Sequence, residues 1–166
     1  MTLKEKAKAI REKLKAEGIK ASVRKSRGSA INVDIKDLSA DRKRVEEVAR
    51  QFERINRCEY SNEILAGGND FVFVQYDYDT LTAEREKYLP LAEKIIAERS
   101  PRYCYTVAET NGKQFMFWPG NTTALDSLVM NTDERQREWE HGAYNKHALA
   151  EGLAIIDNAH GLGLLG

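Results

Sequence analysis

Apolar residues open the chain in a helical rhythm: Leu3, Ala7, Ile10 and Leu14 recur at spacings of four, three and four, the stripe of an amphipathic helix. Thr2 followed by Glu5 predicts a capping box, and Gly18 a stop. The rhythm then changes to alternation. Ile19, Ala21 and Val23 alternate with Lys20, Ser22 and Arg24, and Ile31, Val33 and Ile35 with Asn32, Asp34 and Lys36. Two half-buried strands joined at Ser26-Arg27-Gly28-Ser29 are expected. From Ser39 or Asp41 a second helix is expected, with Val45, Val48, Phe52 and Ile55 inward and Arg42, Lys43, Arg44, Arg50, Arg54 and Arg57 on the other side. Gly67-Gly68-Asn69-Asp70 turns the chain into Phe71–Tyr78, which is apolar or aromatic on both faces and predicts a central strand covered on both sides.

The second half reads as a helix over residues 82–99 anchored by Leu91, Ile95 and Ile96, with Pro90 inside its span. Two strands follow, Tyr103–Val107 and Gln114–Trp118, around the hairpin signal Asn111-Gly112. Thr123 with Asp126 predicts a helix to about Glu140, and Asn145 caps a last helix with Ala148, Leu149, Leu153 and Ile156 inward. The fold class expected is α+β. An α-β-β-α unit shares a mostly antiparallel sheet with a third strand and a second hairpin, with helices packed on the sheet. Residues 1–166 are read as a single domain, with a candidate division into subdomains 1–80 and 81–166.

Length and composition narrow the class. The 166 residues suit one domain, 42% are apolar and 31% charged, and the mean hydropathy is −0.59. That apolar content is too high for a disordered chain, and no run approaches the ~20 apolar residues of a membrane helix. The charged start, Met1 to Lys6, is unlike a signal peptide. Cys58 and Cys104 are too few for a disulfide framework. A soluble, cytosolic protein without a membrane partner is the expectation.

Net charge is zero, but it is segregated. Residues 1–57 hold 17 Lys+Arg against 9 Asp+Glu, a net +8, which leaves −8 for the remainder. Lys4, Lys8, Arg11 and Lys15 recur at helical spacing, and Lys20, Arg24, Lys25 and Arg27 add donors on the first hairpin. Rows of cations of this kind meet phosphate backbones irrespective of sequence. A solvated helix face carries a similar row, and Glu5, Glu12 and Glu17 partly neutralise this one. The partner- or nucleic-acid-binding residues expected are Lys4, Lys8, Arg11, Lys15, Lys20, Arg24 and Arg27. Asp126, Asp133 and Glu140, seven apart on the expected helix, form a rival acidic partner site. Reversal of Lys8, Arg11, Lys20 and Arg24 to Glu is expected to abolish activity and leave folding intact.

Catalytic chemistry finds little to stand on. Gly161-Leu162-Gly163-Leu164-Leu165-Gly166 spells G-x-G-x-x-G, but it follows a helix where a dinucleotide fingerprint follows a strand and opens a helix. It reads as a glycine cap with an apolar tail. His141, His147 and His160 lack ligand spacing, and neither cysteine sits in a nucleophile motif. The tyrosines at 76, 78, 103 and 105 suit a base-stacking platform or plain sheet packing; packing is the preferred reading, with Tyr76 and Tyr78 sharing a face with Val72 and Val74. No catalytic residue, metal or cofactor is expected.

The strings TLKEKAKAIREKLKAEGIKASVRKS, SAINVDIKD and EILAGGNDFVFVQYDY resemble a large polyvalent protein-associated domain, the type numbered 29, over roughly the first half of the chain. The marks are Lys8, Ile10, Arg11, Leu14 and Lys15 in the helix, Ser22-Val23-Arg24 in the strand, and Gly67-Gly68-Asn69 before Phe71–Val74. The resemblance implies an origin in a phage or mobile genetic element and no transferable catalytic residues. Small free-standing proteins of such elements often counter host defence. The function expected from it is a non-enzymatic interaction protein that binds and inhibits a host defence complex of CRISPR–Cas or restriction type, its partner a protein or ribonucleoprotein. The alternative is a nucleic-acid-binding module using the basic first half.

Overall fold

A computed structural model describes residues 1–98, 105–110, 113–117, 129–131 and 146–166. Its contacts divide the chain into two compact units, Met1–Thr80 and Leu81–Gly166.

The first unit begins with α1 (Leu3–Ala16), started by the Thr2–Glu5 capping box. Ala7, Ile10 and Leu14 are its buried stripe. Gly18, at φ +72°, ends it in a conformation that side-chain-bearing residues resist. β1 (Ala21–Lys25) and β2 (Ala30–Ile35) pair antiparallel. α2 (Arg42–Arg50) is capped by the Asp41 carboxylate, which accepts from the Lys43 amide at 3.0 Å. β3 (Phe71–Tyr76) then returns parallel to β2.

The sheet order is therefore β1-β2-β3. Two expectations are corrected here. The three-stranded sheet is mixed where mostly antiparallel pairing was expected, because α2 carries the chain back to the starting end of the sheet. A crossover helix joins parallel neighbours. β3 is also an edge strand with one covered face, not a central strand covered on both. Val72 and Val74 are buried, whereas Phe73 is 51% exposed and Gln75 is exposed. One core cluster explains this: Ile10 and Leu14 of α1 and Val45, Val48 and Ala49 of α2 pack with Val23, Ile31, Val33, Ile35, Val72 and Val74. Both helices thus cover the same face of the sheet and leave the other without a helix from this unit.

Other boundaries differ from expectation. α2 stops at Arg50, so Phe52 and Ile55 lie beyond it, with Phe52 half-buried against the core. Cys58 sits in the connection to β3 and does not end a helix. Tyr78 is not a strand residue facing the core: it is 75% exposed and begins α3 (Tyr78–Glu98).

In the second unit, Tyr88, Ala92 and Ile95 of α3 share a core with Leu149, Ala150, Leu153, Ala154 and Ile156 of α4 (Lys146–His160) and with Phe115. Arg85 reaches Glu151 at 3.1 Å and the Tyr88 hydroxyl donates to Asp157 at 2.6 Å. β4 (Tyr105–Thr110), β5 (Lys113–Phe117) and β6 (Val129–Asn131) form an antiparallel sheet in the order β4-β5-β6. The second hairpin thus belongs to a sheet of its own and does not extend the first. β6 also interrupts the helix expected from Thr123 to Glu140; pairing with β5 has overridden a helical sequence pattern. Asn111-Gly112, Tyr103, Cys104 and His141 lie outside the described residues. Gly161, at φ +61°, caps α4 through its amide to the Asp157 carbonyl at 2.7 Å. Gly161–Gly166 follow a helix, as their reading as a cap requires.

Candidate functional site

A row of cations on α1 and the outer strand β1 together make a groove of about 600 Å³. Lys4, Lys8 and Arg11 project from the helix flank not committed to the core. Arg24 and Lys25 come from β1, and Ala7 and Val23 form the apolar floor. Glu5 is the only carboxylate in this lining. It is engaged at the helix start, where it accepts from the Thr2 amide at 2.7 Å, and its carboxyl is held below the usual range by that bond and by the Thr2 hydroxyl. Five cations line the groove beside one engaged carboxylate, and although Arg24 also pairs with Asp34 the concavity keeps a net positive charge.

The groove runs along the β1 edge of the sheet, where no further strand pairs among the described residues. The ladder pairs Ser22 with Asp34 and Arg24 with Asn32, and the Ser26 amide with the Ala30 carbonyl and the Lys36 amide with the Lys20 carbonyl mark these even-numbered positions as the hydrogen-bonded ones. The backbone groups of Ala21, Val23 and Lys25 consequently point outward. Arg11 donates to one of them, the Val23 carbonyl, at 2.8 Å. That bond ties helix to strand and fixes the guanidinium at the mouth of the groove.

The seven residues expected at the binding surface do not all meet. Lys4, Lys8, Arg11 and Arg24 converge on the groove. Lys15 is exposed near the far end of α1, Lys20 precedes β1, and Arg27 is in the turn after it; none of these three lines the groove. Lys25, read only as an added donor near the turn, belongs to it. Among the described residues, Lys4 and Lys25 have no carboxylate within ion-pair distance. Lys8 meets Glu12 only at 3.9 Å, with both side chains exposed.

The basic side of α2 is different. Arg44 is held by Glu17 at 2.6 Å and by Glu47 at 3.3 Å, Arg42 by Glu46, and Arg50 by Glu53. These arginines are spent on internal pairing. The fourfold reversal would also remove internal bonds, since Arg11 holds the Val23 carbonyl and Arg24 pairs with nearly buried Asp34 at 2.6 Å. A glutamate at position 24 would face that carboxylate, so the reversal would lower stability as well as change the charge of the surface.

Behind the groove lies the sheet face away from α1 and α2. Across it run the rows Ser22–Asp34–Gln75 and Arg24–Asn32–Phe73. Asp34 accepts from Arg24 and from Gln75, each at 2.6 Å. Phe73 stacks on Phe71 with ring centroids 6.2 Å apart and planes 21° from parallel. The two-sided core expected around Phe71–Tyr78 would bury Phe71 and Phe73, whereas Phe73 is exposed. The signal available was that the unit offers only two amphipathic helices, and both could share one face.

Asp126, Asp133 and Glu140 lie outside the described residues, and β6 breaks the continuous helix that would align them. Among the described residues no group of three potential metal ligands occurs, and no helix is long and apolar enough to cross a membrane. His160 lies beside the Phe115 ring at 5.0 Å. The Cys58 thiol is lowered to about 7 by hydrogen bonds from the Ser61 side chain and backbone and from the Tyr60 backbone. Comparison with family models, curated proteins and solved structures finds no match.

Proposed function

We propose that the chain is a non-catalytic binding protein whose first unit takes an extended polyanion, a nucleic-acid strand, in the groove between α1 and β1. The carrying observation is the convergence of Lys4, Lys8, Arg11, Arg24 and Lys25 around one carboxylate already engaged by Thr2. Such a groove attracts a phosphate backbone by charge and shape, with no call for a particular base. The role implied by the family resemblance, inhibition of a host defence complex, would use the same surface. A ribonucleoprotein offers an RNA backbone to it, and occupying that backbone blocks the complex without chemistry.

The test is binding of a fluorescein-labelled single-stranded 12-mer to the full chain across a salt series. Binding at low salt should weaken steeply as salt rises, by ~0.7 in log K per log salt for each phosphate met. The variant K4E/K8E/K25E spares Arg11 and Arg24 and so preserves the internal bonds. It should lose at least tenfold in affinity, as an expectation of roughly 1.4 kcal/mol or more from three reversed charges, and should flatten the salt slope by about 2. Absence of binding at low salt, or an unchanged slope in the triple variant, would refute the proposal.

A further inference from the structure

From the juxtaposition of exposed Phe73, stacked on half-buried Phe71, with the cations of the groove, we infer that the open face of the first sheet is a base-stacking platform, which makes the ligand single-stranded. The inference rests on the polyanion reading of the groove and adds the class of nucleic acid.

Phe73 leaves half its surface exposed on a strand whose alternate residues, Val72 and Val74, are buried. An isolated exposed apolar residue needs no explanation. Phe73 is not isolated: its ring is braced by Phe71, nearly parallel to it, so the outer ring surface is held in place. Arg24 lies in the same cross-strand row, two strands away, about 10 Å at the usual strand spacing. Its side chain is 67% exposed although it contacts Asp34, and it also lines the groove. Arg24 therefore links the two surfaces at the β1 edge. Lys20 and Lys36, paired at the end of the same face, extend the positive border.

A strand whose phosphates lie on Lys4, Lys8 and Lys25 can continue past Arg24 across β1 and β2, so that the base of a later nucleotide meets Phe73. Duplex DNA keeps its bases stacked inside and cannot present one to a flat ring. Aromatic stacking accepts any base, because every base has a π face. The chemistry thus points to single-stranded DNA or RNA recognised without sequence preference, with charge holding the backbone and Phe73 selecting unpaired bases.

The test uses the full chain and three probes: a labelled oligothymidylate 12-mer, the oligouridylate of the same length, and a 12-base-pair duplex. The wild type should bind both single strands at least tenfold tighter than the duplex. F73A should cost the single strands ~5- to 150-fold while leaving the salt slope and the duplex affinity unchanged, since no charge is altered. F73W should restore single-strand binding. K4E/K8E/K25E should instead flatten the slope for every probe. If all three probes bind alike and F73A is silent, the platform is overturned and the polyanion groove stands. If no probe binds at low salt, both fall. A concentration-dependent dimer of the wild type that F73A abolishes, with single-strand affinity unaltered, would assign the face to a second copy of the chain and overturn the platform as well.

Discussion

Asp34 sits at the centre of the first sheet, nearly buried, and accepts from Arg24 and Gln75 at 2.6 Å each. Replacing it with alanine separates the two properties of the open face, stability and charge. The Arg24 partner is largely exposed, so that ion pair is worth only about 0–1 kcal/mol. The Gln75 bond to a charged acceptor contributes about 1.5–3 kcal/mol at most, and Gln75 is itself exposed. A loss of about 2 kcal/mol is expected for Asp34→Ala. With a urea m-value of about 2 kcal/mol/M, the midpoint should fall by about 1 M. Far-UV circular dichroism reads the transition of the whole chain. Fluorescence of Trp118 and Trp139, both in the second half of the sequence, reports residues 81–166 separately. Binding should move the opposite way. Removing one negative charge beside Arg24 is worth about 1 kcal/mol at 4 Å in water, so the folded variant should bind an oligonucleotide roughly fivefold tighter. A midpoint unchanged within the equivalent of about 0.5 kcal/mol, or a weaker affinity in the folded variant, would refute this account of the face.

Two further predictions concern other parts of the chain. Tyr88→Phe keeps the buried ring but removes the hydroxyl that donates to Asp157 at 2.6 Å, and should destabilise by about 1–2 kcal/mol in thermal or urea unfolding; a neutral result would show that this bond contributes nothing between α3 and α4. Asp77 is held below the usual carboxyl range chiefly by the Thr80 hydroxyl and amide at the start of α3. A depressed native value means that its stabilisation is present above the unfolded value of about 3.9 and is lost as pH falls through the native one. The stability gap between wild type and Thr80→Val should therefore be present at pH 6 and narrow below about pH 3.9; a gap independent of pH would refute the linkage.

The sequence determined α1 almost completely: the stripe Leu3, Ala7, Ile10, Leu14, the capping box and Gly18 are local signals, and local signals set a helix's extent and its buried face. It likewise determined the β1–β2 hairpin and the core side of each strand, because period-two alternation assigns faces residue by residue. What it could not determine was which side of a strand receives a partner. Phe71–Tyr76 carries apolar residues on both faces, and that pattern is the same whether helices cover both faces or one. Only the packing of α1 and α2 against a single side left Phe73 exposed. Strand direction was equally hidden, since parallel and antiparallel neighbours present the same alternation and the crossover through α2 decided between them. The cation row was legible at Lys4, Lys8 and Arg11, but its joining with Arg24 and Lys25 depended on α1 lying along the β1 edge. Lys15, equally regular in sequence, lies in the last turn of α1 and outside the groove, which is lined from Lys4 to Arg11 of the helix. Charge periodicity fixes a direction around one element; only tertiary packing decides which directions converge on the same space.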